Sequence, residues 1–328
     1  MTEPLSQVSL ADLSPPDKPW DGHRKDATLI SLNFAKGGLE RYSQRIEQCS
    51  RRLAFAQQEL EAGKIGLKLY AAKFCRVRLC PVCQWRKQLM WRARFFKALP
   101  QYLADHETYV PLLLTLTLRN CEITELRSTV DHLQKSFQRL IQRKAWPARG
   151  FVRSLEVTRN PDTGQAHPHL HVLMFVRRSY FKGKGYIKHA EWVEMWRQCL
   201  QVDYPPNLDI RRIKNSTEND SVFDLLTAEK GGGPASNNLM KAVCETLKYS
   251  VKPSDLTTDH EWLAELASQL HNLRAIAVGG DLKDYMRDDE PEDLIHGDEE
   301  EIPDLSEYQH IIFDWAEDMR RYILGRQY

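Results

Sequence analysis

The sequence predicts an α+β fold, an antiparallel sheet with helices packed on it, and three observations carry that expectation. Strand-like and helix-like segments follow in the order β-α-β-β-α-β-α with a later β. Two strand-like runs, FVRSLEVTR (151–159) and HPHLHVLMFV (167–176), are joined by the turn formers NPDTG and read as an antiparallel hairpin. The chain, 328 residues and 42% hydrophobic, is long enough to bury the core of one or two domains.

In chain order, residues 1–30 contain PPDKP with little apolar periodicity and read as a poorly ordered tail. From about Gly38 to Ala62, strong helix formers run without a breaker until Gly63, which predicts a helix. VPLLLTLTL (110–118) is short, apolar and threonine-punctuated, as a buried strand is. A helix over about Thr124 to Arg143 is closed by Trp146-Pro147, and the hairpin follows. FKGKGY is a basic glycine loop; KHAEWVEMWRQCLQV is helix-like, and NLDIRRIK is strand-like. Residues 214–238 read as an insertion before a helix, NLMKAVCETLKYSVK, that stops at Pro253. A helix near Asp259 to Leu270, the strand RAIAV, an acidic span and a terminal helix, YQHIIFDWAEDMRRYIL, complete the chain.

Composition narrows the function. No run approaches the roughly 18 apolar residues of a membrane span, and the first residues lack the pattern of an export leader, so a cytoplasmic protein is expected. Seven cysteines, an odd number, argue against a disulfide framework and for metal binding or burial. The net charge of +1 hides an asymmetry: residues 281–307 hold 13 acidic and 2 basic residues, a local −11, which leaves +12 on the remainder. Lys73 to Lys97 carries eight Lys or Arg, no acid and five aromatics. That suits a phosphate backbone with exposed bases, and equally a solvated helix face. The acidic span reads either as a solvated linker or as a mimic of DNA.

Three groups of residues carry chemistry. His167, His169 and His171 alternate along a strand and therefore share one face. If the NPDTG turn centres between Asp162 and Thr163, Glu156 opposes His169, Thr158 opposes His167 and Ser154 opposes His171, so a carboxylate joins the imidazoles. Such a set can hold a divalent ion with open positions, which suits catalysis on a phosphodiester. On the helix before Pro253, Leu239, Val243, Leu247 and Val251 form an apolar stripe, leaving Glu245, Tyr249 and Lys252 on one exposed face beside Lys248. A surface tyrosine among helix ion pairs has the same pattern. Cys75, Cys80 and Cys83 have knuckle spacing for structural Zn²⁺, which needs a fourth ligand; Cys121, Cys199 and Cys244 lack such spacing and read as core.

His169-Leu170-His171, preceded by TLT and LEVT, resembles the histidine-hydrophobic-histidine signature of the HUH endonucleases, in particular the rolling-circle plasmid replication initiators. LCPVCQWRK and E-x-x-x-Y-x-x-K stand in that family's order, from about Cys49 to Gly280. The resemblance implies an HUH (RRM-like) nuclease fold over 108–280, a zinc-braced helical DNA-binding element over 31–107, and an acidic segment with a terminal helix over 281–328. It implies that His169, His171 and Glu156 hold Mg²⁺ or Mn²⁺. His167 is a ligand, a supporting partner or a surface histidine. Cys49 is the implied fourth zinc ligand, and Arg76, Arg78, Arg86 and Arg92 are implied DNA contacts. Tyr249 is the implied nucleophile, leaving a 5′-phosphotyrosine and a free 3′-OH; Glu245 activates water for the closing cleavage, and Lys252 supplies charge. Origin DNA, a host helicase and a DNA polymerase are the expected partners. A transposase or relaxase of the same superfamily and a zinc-dependent DNA-binding regulator are the rival readings.

Overall fold

A computed structural model describes residues 8–60, 64–213, 234–248, 251–287 and 310–325. It divides into two compact units, one of residues 1–87, 256–264 and 290–328, the other of residues 88–255 and 265–289. Both contain an antiparallel sheet, so the α+β class stands.

In the second unit, β3 (Tyr109–Thr117), β4 (Gly150–Arg159), β5 (Ala166–Arg177), β6 (Leu208–Arg212) and β7 (Ile276–Gly280) are ordered β6-β3-β5-β4-β7, all neighbours antiparallel. The hairpin pairs Glu156 with His169, Ser154 with His171 and Thr158 with His167. Asn160 builds the turn: its side chain accepts from the backbone N–H groups of Asp162 and Thr163, and Gly164 takes the left-handed conformation at φ 73°. That turn sets which face every β5 side chain occupies.

Helices cover both sides of this sheet. The reason lies in β5, whose residues Pro168 to Val176 are all buried, so neither face can be left to water. On one face α5 (Leu126–Ile141) packs Phe137 edge-on to Phe151 of β4, with α6 (His189–Leu200) beside it. On the other, Phe95, Leu99 and Tyr102 of α4 (Pro81–Asp105) and Leu239, Val243 and Leu247 in and just after α7 (Pro234–Thr246) share a core with Leu113, Val152, Leu173 and Phe175. Alternation puts Thr115, Thr117, Glu156, His169 and His171 on that second face, at the strand ends beyond the apolar core. A short helix, α10 (Leu282–Tyr285), closes the unit: Asp281 accepts from the phenols of Tyr102 and Tyr109.

The first unit corrects three expectations. Residues 1–30 are not a disordered tail as far as they are described: α1 (Leu10–Leu13) and α2 (Pro19–Lys36) form there, and α2 buries Trp20, Ala27, Ile30 and Phe34. The prolines open helical turns, since Pro at the first helical position lacks only a donor that would have no partner. The helix expected over 38–62 stops early: α3 spans Glu40–Glu47, and β1 (Arg52–Leu60) then pairs with β2 (Lys64–Ala72). The expected C-terminal helix is a hairpin, β8 (His310–Ala316) with β9 (Arg321–Leu324), and the sheet order is β2-β1-β8-β9. Leu53 faces Phe313 across β1 and β8, Phe55 meets Phe313 edge-on, and Arg52 forks onto Asp314. Cross-strand pairing of β-branched and aromatic residues outweighs the helix propensity of the same segments. The N-terminal element is therefore helical and sheet-built together. Two further short helices are α8 (Pro253–Thr257) and α9 (His260–Gln269).

Candidate active site

Glu156, His169 and His171 converge on one point, each buried and each offering a ligand atom within 4.8 Å of the others. The Nε2 atoms of His169 and His171 both lie 2.8 Å from Oε2 of Glu156. The Nδ1 of His169 faces the carbonyl oxygen of His167 at 3.2 Å, an acceptor only, so Nδ1 carries the proton and Nε2 points its lone pair at the carboxylate. Two lone-pair atoms this close need a cation between them, either a second imidazole proton or a metal ion. Burial alone would raise the Glu156 pKa, but the close contacts with His169, His171 and Lys248 outweigh it and hold the carboxyl well below the usual range. Burial lowers the pKa of His171 against the pull of Glu156, which keeps that ring neutral as a ligand must be. A carboxylate oxygen and two imidazole nitrogens turned to one point suit a divalent ion with open positions.

Around this group stand residues from three other elements. Lys248, just past the end of α7, places its ammonium 2.7 Å from Glu156 Oε2 and balances the buried charge. Glu245, in the last turn of α7, lies 3.9 Å from His171 Nδ1 and one-third exposed, so water reaches it. Arg211 of β6 holds the other oxygen of Glu245 at 2.5 Å. Thr115 of β3 lies 3.2 Å from His171 Nδ1. His167 is half-buried and bonded to Asn120 at 2.8 Å, outside the converging group. Burial lowers its pKa first, with the neighbouring His169 adding to the effect.

One expectation on the helix changes. The described helix ends at Thr246, so Lys252 does not continue the face of Glu245; it is exposed and, among the described residues, contacts none of the converging groups. Tyr249 lies outside the described residues, as does the segment 214–233. Sequence reasoning missed Arg211. It lies on β6 opposite Leu113 of β3, a contact between strands more than 90 residues apart in the chain.

In the other unit, Cys49, Cys75, Cys80 and Cys83 form a second ligand group. Sulfur separations of 3.6 Å (Cys49–Cys83, Cys75–Cys83) and 3.7 Å (Cys49–Cys80) match the about 3.8 Å edge of a tetrahedron with metal–sulfur bonds of about 2.3 Å. The backbone is shaped for it: Ser50 and Arg76, each following a ligand, are left-handed at φ 52° and 54°, and the N–H of Val77 donates to Cys75 Sγ at 3.5 Å. Packed together, the four thiols conflict. Hydrogen bonds from Cys75, Cys80 and Cys83 lower the Cys49 pKa, while the bond to Cys49 raises that of Cys75 and burial raises that of Cys80. A bound divalent cation resolves the conflict by favouring thiolate at all four. Cys121 and Cys199 are buried and Cys244 half-buried, away from this group. Of the basic residues, Arg76 is exposed, Arg78 and Arg92 are partly buried, and Arg86 stacks over Trp20 and Trp85.

No helix among the described residues is long and apolar enough to cross a membrane. The profile of the Rep_1 family, described as "Replication protein", matches residues 66–323. A "Protein rep" of Streptococcus pneumoniae serotype 2 is 32% identical over 94% of this chain and 92% of its own. A "Protein rep" of Bacillus amyloliquefaciens is 33% identical over 93% of each, and one of a Bacillus species is 37% identical over 68% of this chain and 71% of its own. No solved structure matches. With both ligand groups assembled and a match across most of its length, the chain belongs to the Rep_1 family of rolling-circle replication proteins, the plasmid replication initiators.

Proposed function

We propose that this initiator works as a metal-dependent, single-strand-specific nickase and strand transferase at a plasmid origin. Glu156, His169 and His171 would hold Mg²⁺ or Mn²⁺, which when bound draws charge from a non-bridging phosphate oxygen. The phenol oxygen of Tyr249, giving up its proton to solvent, attacks the scissile phosphorus; the phosphorus–3′-oxygen bond breaks, leaving a 5′-phosphotyrosine and a 3′-oxygen that takes up a proton to become the free 3′-OH. In the closing cleavage Glu245 removes a proton from water, so the cycle ends without a second tyrosine. Lys248 steadies Glu156. His167, tied to Asn120, supports His169 through its carbonyl.

The observation that carries this reading is the meeting at Glu156 of two imidazoles and Lys248, the residue immediately before Tyr249 in sequence, with Glu245 against His171. The cysteine group would hold structural Zn²⁺ in a DNA-binding element, with Arg76, Arg78, Arg86 and Arg92 as contacts to origin DNA. The released 3′-OH is what a host DNA polymerase, with a helicase, would extend. Incubation with single-stranded or hairpin origin oligonucleotide and Mn²⁺ should give an adduct that survives denaturation and disappears in Tyr249→Phe. Metal-stabilised binding with no adduct in the wild type would favour a non-enzymatic regulator.

A further inference from the structure

The basic glycine loop after β5 has no part in the site above. From Arg177 to Lys188 the sequence RRSYFKGKGYIK holds five basic residues, three aromatics and no acid. The structure gathers the aromatics: ring centroids are 5.1 Å apart for Tyr180 and Phe181, 5.5 Å for Tyr180 and Tyr186, and 6.4 Å for Phe181 and Tyr186. Tyr180 is anchored, its hydroxyl accepting from Trp192 Nε1 of α6. Tyr186 is 49% exposed. From the edge strand β6, Arg212 lays its guanidinium over Phe181, 4.8 Å from the ring centroid. Lys182, Lys184 and Arg212 are exposed, and among the described residues none is paired with a carboxylate. A cationic surface that leaves aromatic rings open to solvent fits one chemistry best, a phosphate backbone with unpaired bases.

Its place is as informative as its composition. β5 runs from the histidines at one end to Arg177 at the other, and the six residues from His171 to Arg177 span about 20 Å at about 3.3 Å each. At about 3.4 Å per nucleotide, a strand held at the histidine end needs roughly six further nucleotides to arrive. We infer that the loop 178–188 and Arg212 form a second, sequence-tolerant contact for single-stranded DNA, which holds the strand running on from the histidine end. This rests on the reading that the histidine end takes single-stranded DNA.

Anisotropy of labelled oligothymidylates of about 4 and about 30 nucleotides, the first too short to run from the histidine end to the loop and the second long enough to occupy both, tests it with the full chain. The wild type should bind the longer strand more tightly. Lys182→Glu/Lys184→Glu should remove most of that gain, about tenfold, and flatten the salt dependence of the longer strand by about 1.4, two phosphates at about 0.7 each. Tyr186→Ala should weaken the longer strand by about tenfold, the order expected of one stacked base, and leave the salt slope unchanged. Lys182→Arg/Lys184→Arg should keep the wild-type gain. A gain retained in the charge-reversed and Tyr186→Ala proteins, or equal affinity of the wild type for both lengths, would overturn the second contact alone. So would a loss confined to duplex of the same length, or binding of acidic peptides in place of the oligonucleotides. A wild type that binds neither oligonucleotide and forms no adduct would remove the nicking reading as well.

Discussion

At the scale of residues, the candidate site divides by what the chain makes local. Glu156 beside His169 was legible because a six-residue turn joins their strands, and the side chain of Asn160 fixes the register that turn residues suggest. Arg211 was not legible, because nothing in NLDIRRIK says that β6 lies against β3 or that Arg211 reaches Glu245. Glu245 carries the sharpest residue-level expectation. As the base for water alone, its loss in Glu245→Ala should spare the first cleavage and slow the terminating one by about 10²- to 10⁴-fold. Single-turnover assays of nicking and of release from the phosphotyrosine would measure both, and equal losses in the two steps would refute the division of labour.

At the scale of elements, helices with a clear apolar stripe were read well, and α5, α6 and α9 lie within two residues of their expected starts. The failures were at β1, β8 and β9, segments rich in helix formers: β1 and β8 pair across some 260 residues of sequence and β9 completes a hairpin on β8, so strand state there hangs on a long-range pairing that single-segment propensity does not contain. The cysteine knuckle was readable from spacing, whereas Cys49 came only from resemblance, because it reaches the group from the turn between α3 and β1. Metal should stabilise this element. Cys80→Ser, which removes the most enclosed of the knuckle ligands, should release the ion and cost about 3 kcal/mol or more, a fall of roughly 10 °C in melting temperature. Zinc content by atomic spectroscopy and a thermal scan check both, and an unchanged midpoint with the zinc gone would contradict the role.

At the scale of the whole molecule, the two ends of the chain belong to one sheet, β1 and β2 from the N-terminal side, β8 and β9 from the C-terminal. Removal of residues 310–328 should therefore unfold the first unit, exposing β1 and Trp20, and limited proteolysis should cut within 10–72 as a consequence. A truncated chain with wild-type protease resistance would refute that. The acidic span must be probed from residue 288 onward, because Asp281 and Leu282 belong to the core of the second unit. What the sequence left unread at this scale was division into units that interleave along the chain, which no composition shift marks. Whether Glu156, His169 and His171 together hold a catalytic divalent ion is read from Mn²⁺ titration of the full chain, followed by the loss of free-ion paramagnetic signal. The wild type should bind one Mn²⁺ per chain, and Glu156→Gln, folded to the same melting temperature within a few degrees, should bind it at least about tenfold more weakly. Equal Mn²⁺ affinity in the two proteins would contradict the account.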